Sequence, residues 1–265
     1  MSDSIVYTRD GALARLTLNR PASLNAMGFE MGTRWRDLAR EITADPTVGA
    51  VILDAAGPAF CAGGDVVEMS TSGAGGSDVT AAAHTIHEGI RAFVESDKPV
   101  VAVVQGAVAG GGLGLMLTAD YIVAGEGARF VSKYANIGLT PDLSVSTLLP
   151  AAVGQTRALR MLLADLTIDA ATALEWGLVT EVVADPAARG DEIARFWLGG
   201  ATAAFGHAKR LVRAGARRSF AENLDDEART IGAAFDTADA RARVAAFAAA
   251  SVRPSARPAA PKETS

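Results

Sequence analysis

Cysteine is almost absent from this chain, since Cys61 is the single one among 265 residues. One cysteine excludes an intrachain disulfide framework, the usual support of small secreted domains. The first ten residues also lack the basic stretch followed by an apolar core that a secretion signal needs. The sequence therefore favours a cytoplasmic protein.

Positive charge is in deficit as well. The chain has 25 Lys and Arg residues against 30 Asp and Glu residues, a formal net charge of -5, and its pI is near 5.3. A protein of this balance has no basic field to attract a phosphate backbone. We therefore expect no nucleic-acid partner.

An uncharged run, residues 99–119, is long enough to cross a bilayer as a helix. It opens with β-branched residues, however, and residues 106–114 contain five glycines. Such a density of glycine breaks helices. We predict a buried strand, a glycine turn and a short buried helix, and no membrane contact.

The remaining pattern indicates one α/β core with a helical appendage, for which a chain with 49% hydrophobic residues is long enough. A glycine- and serine-rich loop is predicted at 70–77. The predicted strands are 14–19, 48–53, 100–104, 121–124 and 178–183. The predicted helices are 31–42, 86–94, 113–118 and a short one between Asp169 as N-cap and Gly177 as stop. We divide the chain into a core at 1–198, a helical region at 199–250 and a disordered tail at 251–265.

Two glycine turns follow predicted strands, at 60–65 and 106–114. Glycines let backbone N–H groups approach a ligand closely, which suits an oxyanion or a phosphate. The second turn does not match the dinucleotide-binding pattern, because Leu115 stands where that pattern needs glycine. Each turn alone is equally consistent with tight turns and close packing.

Together the two turns are similar to the two oxyanion loops of the crotonase superfamily, the enoyl-CoA hydratase/isomerase family. The likeness covers most of residues 5–220. It continues in order through 16–21 (LTLNRP), 25–27 (NAM), 119–120 (AD), 137–139 (IGL), 149–150 (LP), 153–154 (VG) and 173–179. The resemblance implies an α/β fold built as a spiral of ββα turns, with C-terminal helices that join subunits into a homotrimer or a dimer of trimers.

The resemblance also implies roles for individual residues. Backbone N–H groups at the positions of Gly64 and Gly111 hold the thioester carbonyl in such enzymes. The predicted contacts with the acyl-CoA thioester substrate are Ala62, Asp65, Val66, His87, Gly110 and Gly114. No separate cofactor is implied, because coenzyme A is part of the substrate.

The catalytic positions depart from the family's hydratases, which carry a pair of glutamates. The matching positions here are Gly114 and Tyr134, and neither can act as a carboxylate base. Hydration needs groups that activate water and manage the proton at the α-carbon. The sequence therefore argues against a two-glutamate hydratase.

One carboxylate remains in a suitable place, Asp142, eight positions after Tyr134. It resembles the aspartate of some enoyl-CoA isomerases, where a single base moves a proton along an acyl chain whose enolate the oxyanion hole stabilises. Turn statistics alone would make Asp142 a turn residue after Pro141. Within the family frame we predict Asp142 as the acid/base, with Tyr134 orienting it or the substrate.

Two alternatives stay open. In the related chlorobenzoyl-CoA dehalogenase an aspartate attacks the aromatic ring, helped by a tryptophan and a histidine; the matching positions are Asp142, Tyr134 and His87. A lone histidine on an apolar helix face is also commonly a core residue. From another class, the missing glutamates are compatible with a noncatalytic acyl-CoA-binding protein.

Three further candidates rank below these. Cys61 adjoins the first turn, but no partner histidine is near in sequence. Lys209 and Arg210 either meet coenzyme A phosphates or are solvated. No spacing of His, Cys or carboxylates suits a metal, so none is predicted.

Overall fold

A computed structural model describes residues 3–251. The residues fall into two compact units, one ending at Arg217 and the other beginning at Arg218. The division at 198/199 stays a prediction, although the last helix before Arg217 belongs to the first unit. The predicted tail lies outside the described residues except for Ser251.

The chain alternates strands and helices, as predicted for an α/β protein. The strands are β1 (Ile5–Asp10), β2 (Leu13–Leu18), β3 (Ala50–Ala55), β4 (Val100–Val104), β5 (Ala107–Ala109), β6 (Tyr121–Gly125), β7 (Arg129–Val131), β8 (Ile168–Asp169) and β9 (Glu181–Val183). The helices are α1 (Phe29–Ala44), α2 (Val66–Thr71), α3 (Gly76–Glu95), α4 (Gly111–Leu117), α5 (Val145–Val153), α6 (Gln155–Leu163), α7 (Ala170–Trp176), α8 (Pro186–Gly199), α9 (Thr202–Gly215), α10 (Phe220–Phe235) and α11 (Ala238–Ser251).

The main sheet has six strands in the order β1-β2-β3-β4-β6-β9. The β1–β2 pair is antiparallel, and every later pair is parallel. Strand β4 is buried along its whole length, as expected for a strand covered on both faces. A second sheet, β5-β7-β8, continues from the glycine turn that follows β4.

Helices α1 and α3 cover one face of the sheet. The apolar stripe of α1 packs into the larger core, where Trp35 lies 5.3 Å from Phe93, ring centre to ring centre. Trp35 also donates its indole N–H to the Ile86 carbonyl of α3 at 3.2 Å. Helix α8 covers the opposite face through Ile193 and Ala194. This packing holds α3 beside the glycine turns.

Several predicted elements are confirmed, and one predicted loop is shorter than expected. The uncharged run forms β4, β5 and the seven-residue α4, and no helix within residues 3–251 is long and apolar enough to cross a membrane. Asp169 caps α7, and Gly177 ends it with φ +76°. The loop predicted at 70–77 is shorter, because α2 extends to Thr71 and α3 begins at Gly76.

Lys209 is not a surface cation, contrary to both alternatives given for it. It is buried, its ammonium donates to the carbonyls of Phe93 and Lys98 at 2.8 and 2.6 Å, and it pairs with Asp120 at 3.0 Å. Burial lowers the pKa of Lys209, and the nearby Asp120 opposes that change. Lys209 therefore fastens α9 to the core.

We expect Lys209→Met to lower the free energy of unfolding by about 3 kcal/mol, because it removes the donor to the Lys98 carbonyl and breaks the buried ion pair with Asp120. Urea unfolding followed by circular dichroism measures this. The matched control is Arg91→Met, which removes an exposed pair with Glu95 and should cost no more than about 0.5 kcal/mol. Equal losses in the two variants would contradict the assignment.

Candidate active site

The candidate site is a cavity of about 780 Å³ in the first unit. Its walls come from the two glycine turns, helix α3 and the segments 22–29 and 132–143. The predicted site residues that line it are Ala62, Gly64, Asp65, Val66, His87, Gly110, Gly111, Tyr134 and Asp142. The structure thus brings together residues that lie up to 80 positions apart in the chain.

The two glycine turns lie against each other. Cys61 pairs with Val108 in a parallel bridge, in which the Ala109 N–H donates to the Cys61 carbonyl at 2.9 Å. A methyl group placed on Gly63 would lie 3.4 Å from the Gly111 nitrogen. Gly63 has φ +101°, a conformation that side-chain-bearing residues rarely adopt. Only glycine-rich turns allow the two backbones to approach this closely.

The N–H groups of Gly64 and Gly111 are available to a ligand. Met27 pairs with Gly64 by donating to the Gly63 carbonyl and accepting from the Asp65 N–H, which leaves the Gly64 N–H pointing away from Met27. Gly111 is the first residue of α4, where N–H groups lack an intrahelical acceptor. Neither N–H donates to an acceptor within residues 3–251. Two such donors can stabilise an anionic oxygen.

Asp142 and Tyr134 form a pair on the same wall. The Tyr134 hydroxyl donates to Asp142 Oδ1 at 2.6 Å, and it lies 3.7 Å from where a Gly111 side chain would begin. Burial and the Asp142 carboxylate raise the pKa of Tyr134 well above its ordinary value. Tyr134 is therefore a hydrogen-bond donor and not a base. No Lys or Arg pairs with Asp142 in the described part of the chain.

The turn that carries Asp142 is strained. Leu143 and Ser144 have φ +46° and +69°, in the left-handed region that L-residues disfavour by about 1–3 kcal/mol each. The Val145 N–H donates to the Asp142 carbonyl at 2.9 Å, and the Leu143 N–H donates to His87 Nε2 at 3.1 Å. Leu143 is buried, with its side chain against Gly111. The surrounding contacts thus impose the backbone shape that positions Asp142.

Gly114 was predicted to contact the substrate, but it does not line the cavity. It is buried in α4, and a methyl group at this position would overlap the carbonyl oxygen of Leu143. Its role in the structure is to let the backbone of the Asp142 turn pack directly onto α4. A glutamate cannot occupy position 114 unless that turn moves.

The Asp65 carboxylate is engaged in hydrogen bonds and an ion pair within the protein. It caps α2 by accepting from the Glu68 N–H at 3.0 Å and pairs with Arg20 at 2.8 Å. These interactions lower the pKa of Asp65, and the hydrogen bond from the Glu68 N–H has the largest effect. Arg20 also donates to the Ala26 carbonyl at 2.6 Å. The pair therefore anchors the first glycine turn, and sequence reasoning missed Arg20 because it lies 45 positions away.

Cys61 is unsuited to nucleophilic chemistry. It is fully buried, and this burial raises the pKa of the Cys61 thiol to about 11. The reactive thiolate is therefore scarce at neutral pH. Among residues 3–251 no three His, Cys, Asp or Glu side chains are grouped so that they could hold a metal ion.

The other side chains of the cavity wall are largely apolar. Sequence reasoning did not select them, because each is an ordinary hydrophobic residue until the fold places it. They include Leu24, Met27, Phe29, Met69 and Ile86. A largely apolar wall next to two N–H groups and a carboxylate suits an acyl chain attached to an activated carbonyl.

Comparison with known proteins decides the family. The model of the enoyl-CoA hydratase/isomerase family matches residues 8–251. The chain belongs to this family. The crotonase superfamily and its fold, predicted from the motifs, are therefore confirmed.

Individual members of the family differ in their names. The 1,2-epoxyphenylacetyl-CoA isomerase of Escherichia coli (strain K12) is 30% identical over 253 residues, covering 94% of this chain and 97% of its own. The 4-chlorobenzoyl coenzyme A dehalogenase-2 of an Arthrobacter species is 31% identical over 257 residues, covering 96% and 92%. The crystal structure of enoyl-CoA hydratase from Bacillus anthracis superposes with a TM-score of 0.87 at 25% identity, covering 94% and 97%.

Proposed function

We propose that this member of the family is an enoyl-CoA isomerase that shifts a double bond along the acyl chain with Asp142 as its acid/base. One observation carries the proposal: the residues at the two positions that hold glutamates in the family's hydratases both contact the Asp142 turn or the Asp142 carboxylate here. Gly114 admits the backbone of the Asp142 turn, and Tyr134 donates a hydrogen bond to the carboxylate. The site is thus arranged around a single carboxylate.

The proposed reaction has two proton transfers. The Gly64 and Gly111 N–H groups hold the thioester oxygen, so that charge moves onto it when Asp142 removes a proton from the acyl chain. The same carboxyl group then returns the proton two carbons away, and the double bond moves with no net gain or loss of atoms. Tyr134 stays protonated and orients the carboxylate. Coenzyme A enters as part of the substrate and no separate cofactor is proposed.

The relative named a 1,2-epoxyphenylacetyl-CoA isomerase supports isomerisation of an acyl-CoA in general, and the relatives named hydratases favour the alternative of hydration. Hydration requires one group to activate water while another manages the α-carbon proton. Among the described residues, Asp142 is the carboxylate of the cavity wall that lies next to the free N–H groups. The other two carboxylates of the wall, Asp65 and Glu68, already accept hydrogen bonds from backbone N–H groups. A single base fits proton transfer better than hydration.

Nucleophilic dehalogenation is the second candidate, favoured by the relative named a chlorobenzoyl-CoA dehalogenase and by His87 next to the Asp142 turn. In that reaction an Asp142 oxygen would attack the aromatic ring and expel halide, forming an aryl ester that water then hydrolyses. A noncatalytic acyl-CoA-binding protein is the third, and it predicts binding without turnover.

Incubation in deuterium oxide separates isomerisation from dehalogenation, from hydration and from binding without turnover. The enzyme is given a panel of aliphatic enoyl-CoA and halogenated aryl-CoA thioesters, and products and acid-quenched protein are analysed by mass spectrometry. Isomerisation predicts a shifted double bond and no covalent adduct, with deuterium entering the acyl chain to the extent that the proton held by Asp142 exchanges with solvent before its return. A covalent aryl ester on Asp142 would establish dehalogenation instead, whereas addition of water across the double bond would establish hydration.

We further propose that the protein assembles as a homotrimer or a dimer of trimers. The second unit exposes large apolar side chains, which monomers rarely leave in contact with water. The most exposed of them are Phe220, Ile231 and Phe247. Multi-angle light scattering should report a mass three or six times that of one chain, and a monomer at micromolar concentration would contradict this. Deletion of residues 254–265 should leave the number of subunits in the assembly unchanged.

We also propose that the protein acts in the cytoplasm. The single cysteine, Cys61, is a free thiol, which suits a reducing compartment. The acidic balance of the chain argues against nucleic acid as a ligand.

A further inference from the structure

His87 lies on α3, and it contacts the Asp142 turn through the backbone of that turn. Its Nε2 accepts a hydrogen bond from the Leu143 N–H at 3.1 Å, across 56 positions of sequence. The carboxylate of Asp142 is bonded instead to Tyr134. The imidazole is therefore directed at the peptide group next to the carboxylate.

This hydrogen bond defines the chemical state of His87. A ring nitrogen accepts a hydrogen bond only when it carries no proton, and in a neutral imidazole the proton then lies on the other nitrogen. The bond to Leu143 thus requires neutral His87 with its proton on Nδ1. An Nε2 that is engaged in this way is not free to take a proton from a substrate or a water molecule.

The peptide group between Asp142 and Leu143 is held on both edges. His87 holds the N–H edge, and the Val145 N–H donates to the carbonyl edge at 2.9 Å. Because a peptide group is planar and includes the Asp142 Cα, fixing its two edges fixes the backbone position from which the Asp142 side chain extends. The left-handed Leu143 and Ser144 would otherwise relax toward ordinary backbone angles.

We infer that His87 is a positioning residue: it holds the Asp142–Leu143 peptide group as a neutral acceptor, and it acts on the reaction through Asp142. This inference rests on the proposed function, in which Asp142 is the acid/base. It gives His87 a role different from direct proton transfer, and it predicts which substitutions the enzyme tolerates.

Two substitutions separate the roles. His87→Leu keeps the bulk but removes the acceptor, and we expect kcat to fall by about 10- to 100-fold with KM little changed, since a small displacement of a catalytic group has effects of this size. His87→Gln places an amide oxygen where it can accept from Leu143, and we expect it to recover most of that loss. A glutamine as inactive as the leucine would overturn the inference, as would a fully active His87→Leu enzyme.

The pairing with Asp142 gives a second test. In an Asp142→Asn background, His87→Leu should lower the residual rate by less than threefold, because the two residues act as one unit. A further loss equal to that in the wild-type background would overturn the inference. The helix control is Glu88→Gln, whose side chain pairs with Arg40 outside the cavity, and it should retain wild-type kcat. If Asp142→Asn itself is active, the proposed function fails, whatever the His87 variants do.

The unmodified protein supplies a spectroscopic test, in which His87→Gln serves only to assign the signal of His87. Nitrogen-15 NMR of histidine-labelled protein at neutral pH should show one imidazole with Nδ1 protonated and Nε2 unprotonated, and this signal should be absent in His87→Gln. Assignment of His87 to the opposite tautomer, or to the doubly protonated form, would overturn the inference.

Discussion

Asp142→Asn is expected to lower kcat by about 100-fold or more while acyl-CoA affinity stays within a few-fold of wild type. Asparagine keeps the shape of the side chain, and its amide oxygen can still accept the hydrogen bond that Tyr134 donates to Asp142 at 2.6 Å in the wild type. It cannot take up a proton, however. Loss of a positioned acid/base typically has an effect of this size. Steady-state isomerase kinetics and calorimetric titration with a saturated acyl-CoA measure the two quantities.

The control for Asp142→Asn is Tyr134→Phe. It removes the donor to the carboxylate but leaves the base in place, so kcat should fall by less than in Asp142→Asn. This order follows because the pKa of Tyr134 is raised and the phenol is a donor only. An Asp142→Asn enzyme with wild-type kcat would end the isomerase and the dehalogenase assignments together.

Gly64→Pro is expected to lower kcat by about 100- to 1000-fold, the usual effect of losing one oxyanion donor. Proline has no N–H, and the Gly64 N–H is not used by any acceptor within residues 3–251, so the fold loses no hydrogen bond there. Ground-state binding of the thioester should weaken much less, because the donor matters most when negative charge develops on the oxygen. The same kinetics and titrations as for Asp142→Asn separate the two effects.

Gly64→Ala is the matched control, because it keeps the N–H. The added methyl group would meet only the Met69 sulfur, at 3.9 Å. We therefore expect turnover close to wild type in the alanine variant, with both proteins verified as folded by circular dichroism. Normal turnover in a folded Gly64→Pro protein would show that this N–H does not hold the oxygen. A loss in the alanine variant as large as in the proline variant would point to steric disturbance instead.

Local pattern was sufficient for much of the fold. The β-branched run of β4, the helical spacing of apolar residues in α1 and the caps Asp169 and Gly177 each express a preference of the chain over a few residues. The short strands β5, β7 and β8 were missed, because elements of two or three residues carry no periodicity. The first part of the site was also accessible, because the two glycine turns together resemble the oxyanion loops of the family, although each turn alone is equally consistent with close packing.

The sequence by itself determined the chemical inventory: two glycine turns, one candidate carboxylate, one cysteine and no glutamate at positions 114 and 134. Only the tertiary structure decided how these groups are used. The left-handed turn at Leu143, the bond from its N–H to His87 and the Arg20–Asp65 pair all join residues distant in sequence or oppose local preference. Such features depend on packing between elements, because the surrounding contacts must outweigh the strain of the turn and the desolvation of the charges.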